Sequence, residues 1–317
     1  MTYPNASSSN RVAWGAIIAF TVLACALAWL VSLPLWLGDG LAEPLTAVIL
    51  PIMMFTPAIA AIVVMVALGV PAKGERLRFL GLWPLRPAKR VVWMIVLAWL
   101  VPPVLVALGI LVATALGVVQ LDLTFATFAA QLEALLPAGV AAPPIELIVL
   151  AQIASIPLGA LINAIPAFGE ELGWRGWLVP ALRPLGTWPA LLISGAIWGV
   201  WHSPVILLGY NFGRTDITGV LFMIGGCVAW GVLFGWLRLR SASVWPAVIA
   251  HGSLNAAGGM IVIFAATQPD LALAGPLGVA AWIVIAVVVV VLMLTGQFRK
   301  QPELAGAQGR LLSAPRS

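Results

Sequence analysis

LIVLAQIASIPLGALINAIPAFGEE, residues 147–171, decides how the chain is read. Its first 23 residues carry no Asp, Glu, Lys or Arg, and two glutamates follow with no intervening loop. A helix needs about 20 apolar residues to cross the hydrocarbon core of a bilayer. Seven further uncharged runs of 21 residues or more lie at 12–38, 44–72, 91–121, 184–213, 217–237, 241–269 and 271–298. The eight runs predict an all-α integral membrane protein with eight transmembrane helices over 12–296. The segments 1–11 and 297–317 would be a cytoplasmic N-terminus and a polar, disordered tail. Membrane β-strands are shorter and alternate in polarity, which these runs do not.

Composition agrees. Of 317 residues, 62% are hydrophobic and 9% charged, against roughly 25% charged in a soluble domain. A soluble enzyme, a disordered protein and a disulfide scaffold are all excluded. The net charge of +5 would suit a nucleic-acid binder, but its distribution points elsewhere. With both termini inside, 15 of the 16 Lys and Arg fall in cytoplasmic segments and only Arg214 falls outside. That is the positive-inside pattern, so the charge reports topology and contact with an anionic leaflet rather than nucleic acid. The basic link 69–90 reads as a headgroup anchor, with a partner-docking role as the alternative. Cys25 and Cys227 have no motif spacing. Three Lys against 13 Arg, with abundant Ala, suggest a bacterial genome and hence the inner membrane.

Two glycine pairs, Gly195/Gly199 and Gly231/Gly235, have the spacing that lets membrane helices approach closely. Phe125, Phe128, Leu132 and Leu135 recur at helical spacing in the outer link 120–144, which predicts a short interfacial helix. Trp14, Trp36, Trp93, Trp188 and Trp245 fall near span ends, as an aromatic belt does.

Ionisable groups inside a bilayer are costly and mark functional sites by default. The only two histidines, His202 and His251, lie within uncharged runs. At 1.5 Å per residue, Glu170 lies about 20 Å from the edge marked by Arg183. By the same rule His202 lies about 21 Å from Trp188, and His251 about 16 Å from Arg240. Three helices thus carry a carboxylate and two imidazoles at similar depth. Trp198 and His202, His251 and Asn255, and Glu171 and Arg175 are each four apart and share a helix face. A desolvated carboxylate can act as general base on water. A neutral histidine can hold that water, and a second histidine with an asparagine can donate to a tetrahedral oxyanion. Ligation of zinc by Glu170, His202 and His251 is the alternative use. No HExxH helix is present.

These residues resemble a known family. GEELGWRGWL at 169–178 resembles the Glu-Glu-x-x-x-Arg motif of the CAAX-processing and bacteriocin-processing membrane proteases, the CPBP or Abi family. WGVWH at 198–202 is similar to its second motif, with Trp198 where Phe is commoner. HGSLN at 251–255 resembles its third, His-x-x-x-Asn. The resemblance covers about 145–265. It implies an intramembrane endopeptidase with its cavity inside the membrane. Glu170 would activate water, His202 would position it, and His251 and Asn255 would stabilise the oxyanion. Glu171, Arg175 and Trp198 would organise the site. A metal-free mechanism is preferred over zinc. The substrate would be a peptide or protein entering from the membrane or the cytoplasm, in peptide maturation or bacteriocin immunity. Two other readings use the same residues: a transporter or proton relay, and a non-catalytic membrane partner. A relay predicts polar groups at several depths and often an internal repeat, and the chain has neither.

Overall fold

A computed structural model describes residues 12–137, 140, 142–299 and 301. The expectations for 1–11 and for the tail beyond 301 lie outside the described residues. Those residues are helical throughout, apart from connections and one isolated bridge between Leu121 and Ala265. Lipid offers backbone N–H and C=O groups no partners, so a spanning segment must satisfy them internally.

The principal helices are α1 (Trp14–Leu37), α2 (Thr46–Met53), α3 (Thr56–Ala67), α4 (Ala88–Ala115), α5 (Ile145–Glu171), α6 (Thr187–Trp201), α7 (Ile217–Ser241), α8 (Trp245–Ala257) and α9 (Val279–Leu294). Seven helices among the described residues are long and apolar enough to cross a membrane: Trp14–Leu37, Thr46–Ala67, Ala88–Ala115, Ile145–Leu185, Ile217–Ser241, Trp245–Phe264 and Leu271–Leu294. The run 184–213 differs from the eight-span expectation. It forms α6, whose 15 residues cover about 22 Å, against a hydrocarbon core of about 30 Å. α6 stops at His202 because Pro204 has no N–H to give the Val200 carbonyl. One further turn, Ser203–Ile206, and an irregular connection lead to α7.

Other boundaries follow from local chemistry. Pro57 cannot donate to the Met53 carbonyl, and the second span breaks there into α2 and α3. Asp216 caps α7 by accepting from Thr218 N at 2.9 Å. The interfacial helix predicted in 120–144 is Ala126–Glu133.

α5 has two unlike halves. From Leu147 to Ile165 most of its apolar side chains are exposed, as a lipid-facing surface requires. From Ala167 onward every residue but Phe168 is buried, through Leu182. Beyond Glu171 the backbone widens into a π-helical segment, Leu172–Leu178, a geometry that recurs at functional sites. Gly169 and Gly173 let this part lie directly on the α2–α3 break. A Cβ at Gly169 would meet Met54 O at 2.6 Å.

α5 packs along α8, α6 along α7, α4 against α8 and α9, and α1 against α3. The glycine pairs do what their spacing predicts. A Cβ on Gly195 would lie 2.8 Å from Val228 Cα, and one on Gly231 would lie 3.1 Å from Arg175 Nη2. The start of the tail is packed: Phe298 lies against Trp188, ring centroids 4.7 Å apart.

Candidate active site

Four helices bring the polar groups together. Glu170 and Glu171 end α5, Arg175 lies in the π segment, Trp198 and His202 close α6, and His251 and Asn255 lie on α8. Glu170, Glu171, Arg175, Trp198, His202 and His251 are all buried, and Asn255 is exposed at the cavity rim. Glu170, Trp198, His202, His251 and Asn255 line one cavity of about 510 Å³. Glu171 and Arg175 do not line it and stand behind it.

Trp198 joins the two layers. Its indole Nε1 donates to Glu170 Oε2. Its ring covers the Arg175 guanidinium, 4.2 Å from Cζ to centroid. Its carbonyl lies 2.8 Å from His202 Nδ1. A carbonyl can only accept, so Nδ1 carries the hydrogen, and the Nε2 of a neutral His202 has its lone pair free.

Glu171 anchors the rear layer. Its Oε1 accepts from Arg175 Nη1 at 2.7 Å and lies 2.9 Å from His251 Nδ1. A carboxylate in an Arg contact is an acceptor, so His251 also turns a hydrogen-bearing Nδ1 inward and leaves Nε2 for the cavity. Arg175 is the i, i+4 partner of Glu171, as its spacing predicts.

Arg238 is a functional neighbour that the sequence reading assigned only to the cytoplasmic edge. It is buried on α7 with no carboxylate partner among the described residues. Its Nε donates to Arg175 O at 3.1 Å and its Nη2 to Phe79 O at 2.7 Å. It therefore ties the π segment to the basic link. Asn163 and Tyr210 also line the cavity and were not singled out by spacing. Tyr210 lies in the connection after α6.

Zinc would need Glu170, His202 and His251 to converge. Among the described residues no three His, Cys, Asp or Glu side chains form a group that could hold a metal ion. Cys25 and Cys227 are both free thiols.

The cavity also reaches Tyr210–Phe212, Gly258, Gly259, Leu271, Pro276 and Leu277. These lie at the end of the bundle opposite the basic link and the α7–α8 turn. Arg214 pairs with Asp270 at 2.8 Å and clasps the connections after α6 and before α9.

Comparison with known proteins agrees with the motif resemblance. Residues 152–257 match the family described as type II CAAX prenyl endopeptidase Rce1-like. No curated protein matches the chain. The match starts within α5 and ends with α8, and that family is one of proteases. The residues that match this family, 152–257, hold every side chain of the Glu–Trp–His constellation.

Proposed function

We propose that this protein is an intramembrane endopeptidase in which Glu170 activates the attacking water. One observation carries the reading. Trp198 holds one oxygen of Glu170, while the residue lines the cavity shared by His202, His251 and Asn255. With Oε2 so held, Oε1 is the oxygen that takes a proton from water. His202 Nε2 accepts the water's other hydrogen. The water oxygen then attacks the scissile carbonyl carbon, and the carbonyl oxygen becomes an oxyanion.

Asn255 donates a carboxamide N–H to that oxyanion. His251 donates from Nε2 when it carries a second proton, a charge that the Glu171 carboxylate balances. The C–N bond then breaks. The proton held by Glu170 passes to the leaving amine, and the carboxylate is restored. The step uses the chain's own side chains and one water.

The reading places both termini in the cytoplasm of a bacterial inner membrane, from the positive-inside pattern. The run 184–213 enters as α6 and, past His202, goes on as an irregular connection to the far end, where α7 starts, as an eighth span that is helical over only part of its length. Substrate, a peptide or a membrane protein in extended form, enters from the membrane. Ala47 and Pro51 of α2, Asn255 of α8 and Gly259 just after it line the cavity and are themselves exposed, which supports a lateral route over one across the basic face.

The test compares wild type with Glu170→Gln, expressed equally in the native membrane, by mass spectrometry of protein and peptide termini. Termini that need Glu170 are the expected result, and they name the substrate. Identical termini from two folded, inserted proteins would overturn the hydrolase reading.

A further inference from the structure

Asn163 is a polar side chain on a helix whose neighbouring residues face lipid. It lines the cavity with Pro166 and Glu170, at positions i, i+3 and i+7 of one helix face. Its Nδ2 donates to Gly159 O at 2.8 Å. A carbonyl can only accept, so this bond fixes the orientation of the amide and leaves Oδ1 free to accept from a ligand. No hydrogen bond to Oδ1 forms among the described residues, and the side chain is half-buried. Beside it, Pro166 lines the cavity and has no N–H to offer. Oδ1 is thus an acceptor with no partner among the described residues, beside the one Nδ2 hydrogen that Gly159 does not take.

Spacing says what such an acceptor would read. Seven helical residues separate Asn163 from Glu170, about 10.5 Å along the axis. An extended peptide advances about 3.3 Å per residue. A strand lying along α5 with its scissile bond at Glu170 therefore brings a backbone N–H to Asn163 about three residues away.

We propose that Asn163 is a substrate-binding residue that accepts a backbone N–H from an extended peptide, three residues from the bond cut at Glu170. The proposal rests on the hydrolase reading above and adds the form in which substrate is held. The acceptor reads the peptide backbone and is indifferent to the side chain at that position.

The test uses the full protein in lipid nanodiscs and a synthetic peptide spanning the cut found by terminus mass spectrometry. Each amide from four residues before the cut to four after is replaced in turn by an ester, which removes one N–H. In wild type one ester, three residues from the cut, should lower kcat/KM about tenfold, mainly through KM. Asn163→Ala should lower kcat/KM for the all-amide peptide by a similar factor and become insensitive to that ester. Effects of ester and variant that multiply would overturn the proposal, since two partners of one bond cannot be lost twice. So would a scan in wild type with no sensitive position three residues away, whatever the fate of the variant. If wild type cuts no peptide, the hydrolase reading falls and Asn163 with it. If it cuts the peptide without the ester response, only the Asn163 subsite falls.

Discussion

At its buried end α5 presents two different faces to the protein. On the cavity face Glu170 has one neutral donor, the Trp198 indole, and one oxygen turned to open space. On the packed face Glu171 is wholly enclosed, and a single oxygen serves both Arg175 and His251. The two residues are adjacent and comparably buried, so chain position and depth do not distinguish them. Their partners do. A carboxylate with a spare oxygen beside a cavity is poised to take a proton. One tied to a buried guanidinium is committed to holding its neighbours. Substitutions should therefore separate chemistry from stability across one peptide bond.

The largest effect should come from the cavity face. Glu170→Gln keeps an oxygen for Trp198 but removes the base, and turnover should fall about 10²–10⁴-fold with an unchanged unfolding midpoint in denaturing detergent. Near wild-type rates would erase the distinction between the faces. On the packed face, Glu171→Gln or Arg175→Ala breaks a buried ion pair and should cost about 3–5 kcal/mol of stability, read as loss of folded yield and of that midpoint. If folding is untouched, Glu171 is not the structural partner. Arg238→Met tests how far the packed face extends. It strands the carbonyls of Arg175 and Phe79 and should cost about 1–3 kcal/mol, measured by the same unfolding titration.

Trp198→Phe cuts between the faces, since it keeps one aromatic ring near Arg175 and removes the N–H to Glu170 together with part of the buried indole. A fall in kcat of about tenfold is expected with a smaller loss of stability than Arg175→Ala causes, and a larger loss of stability with kcat unchanged would move Trp198 wholly to the packed face. The smallest effect lies outside the membrane. Hydrogen bonds from Thr218 hold the Asp216 carboxyl below its ordinary value of 3.8. A lowered folded-state value stabilises above the ordinary one and is lost as pH falls through the folded one. Melting should be level from neutral pH to about pH 4 and decline below, with a shallower decline in Asp216→Ala.

Much of this arrangement was legible from local spacing. The Glu171–Arg175 pair is an i, i+4 contact, and the Trp198–His202 contact follows from the same rule. Contacts across elements were not. Nothing in the sequence says that His251 turns Nδ1 to Glu171 and not to Glu170, or that Arg238 leaves the aqueous edge for two carbonyls. Those depend on how α5, α7 and α8 meet. The eight-run count could not give the length of the helix in 184–213, because absence of charge does not fix where a helix ends. Pro204 carried the stop signal. Asn163 lacked a polar partner at three or four residues, yet its seven-residue spacing from Glu170 was there to be read.

The glycines between α6 and α7 have a consequence for how this sequence can vary. Even the smallest side chain at Gly195 would press on the Val228 backbone, and one at Gly231 would press on the Arg175 guanidinium. By contrast, Leu147, Leu150, Leu158 and Leu161 face outward on α5, where one apolar residue can replace another at little cost. Tolerance to mutation should thus be sharply uneven within the same domain. The residues with the least chemistry of their own set the narrowest limits on its drift.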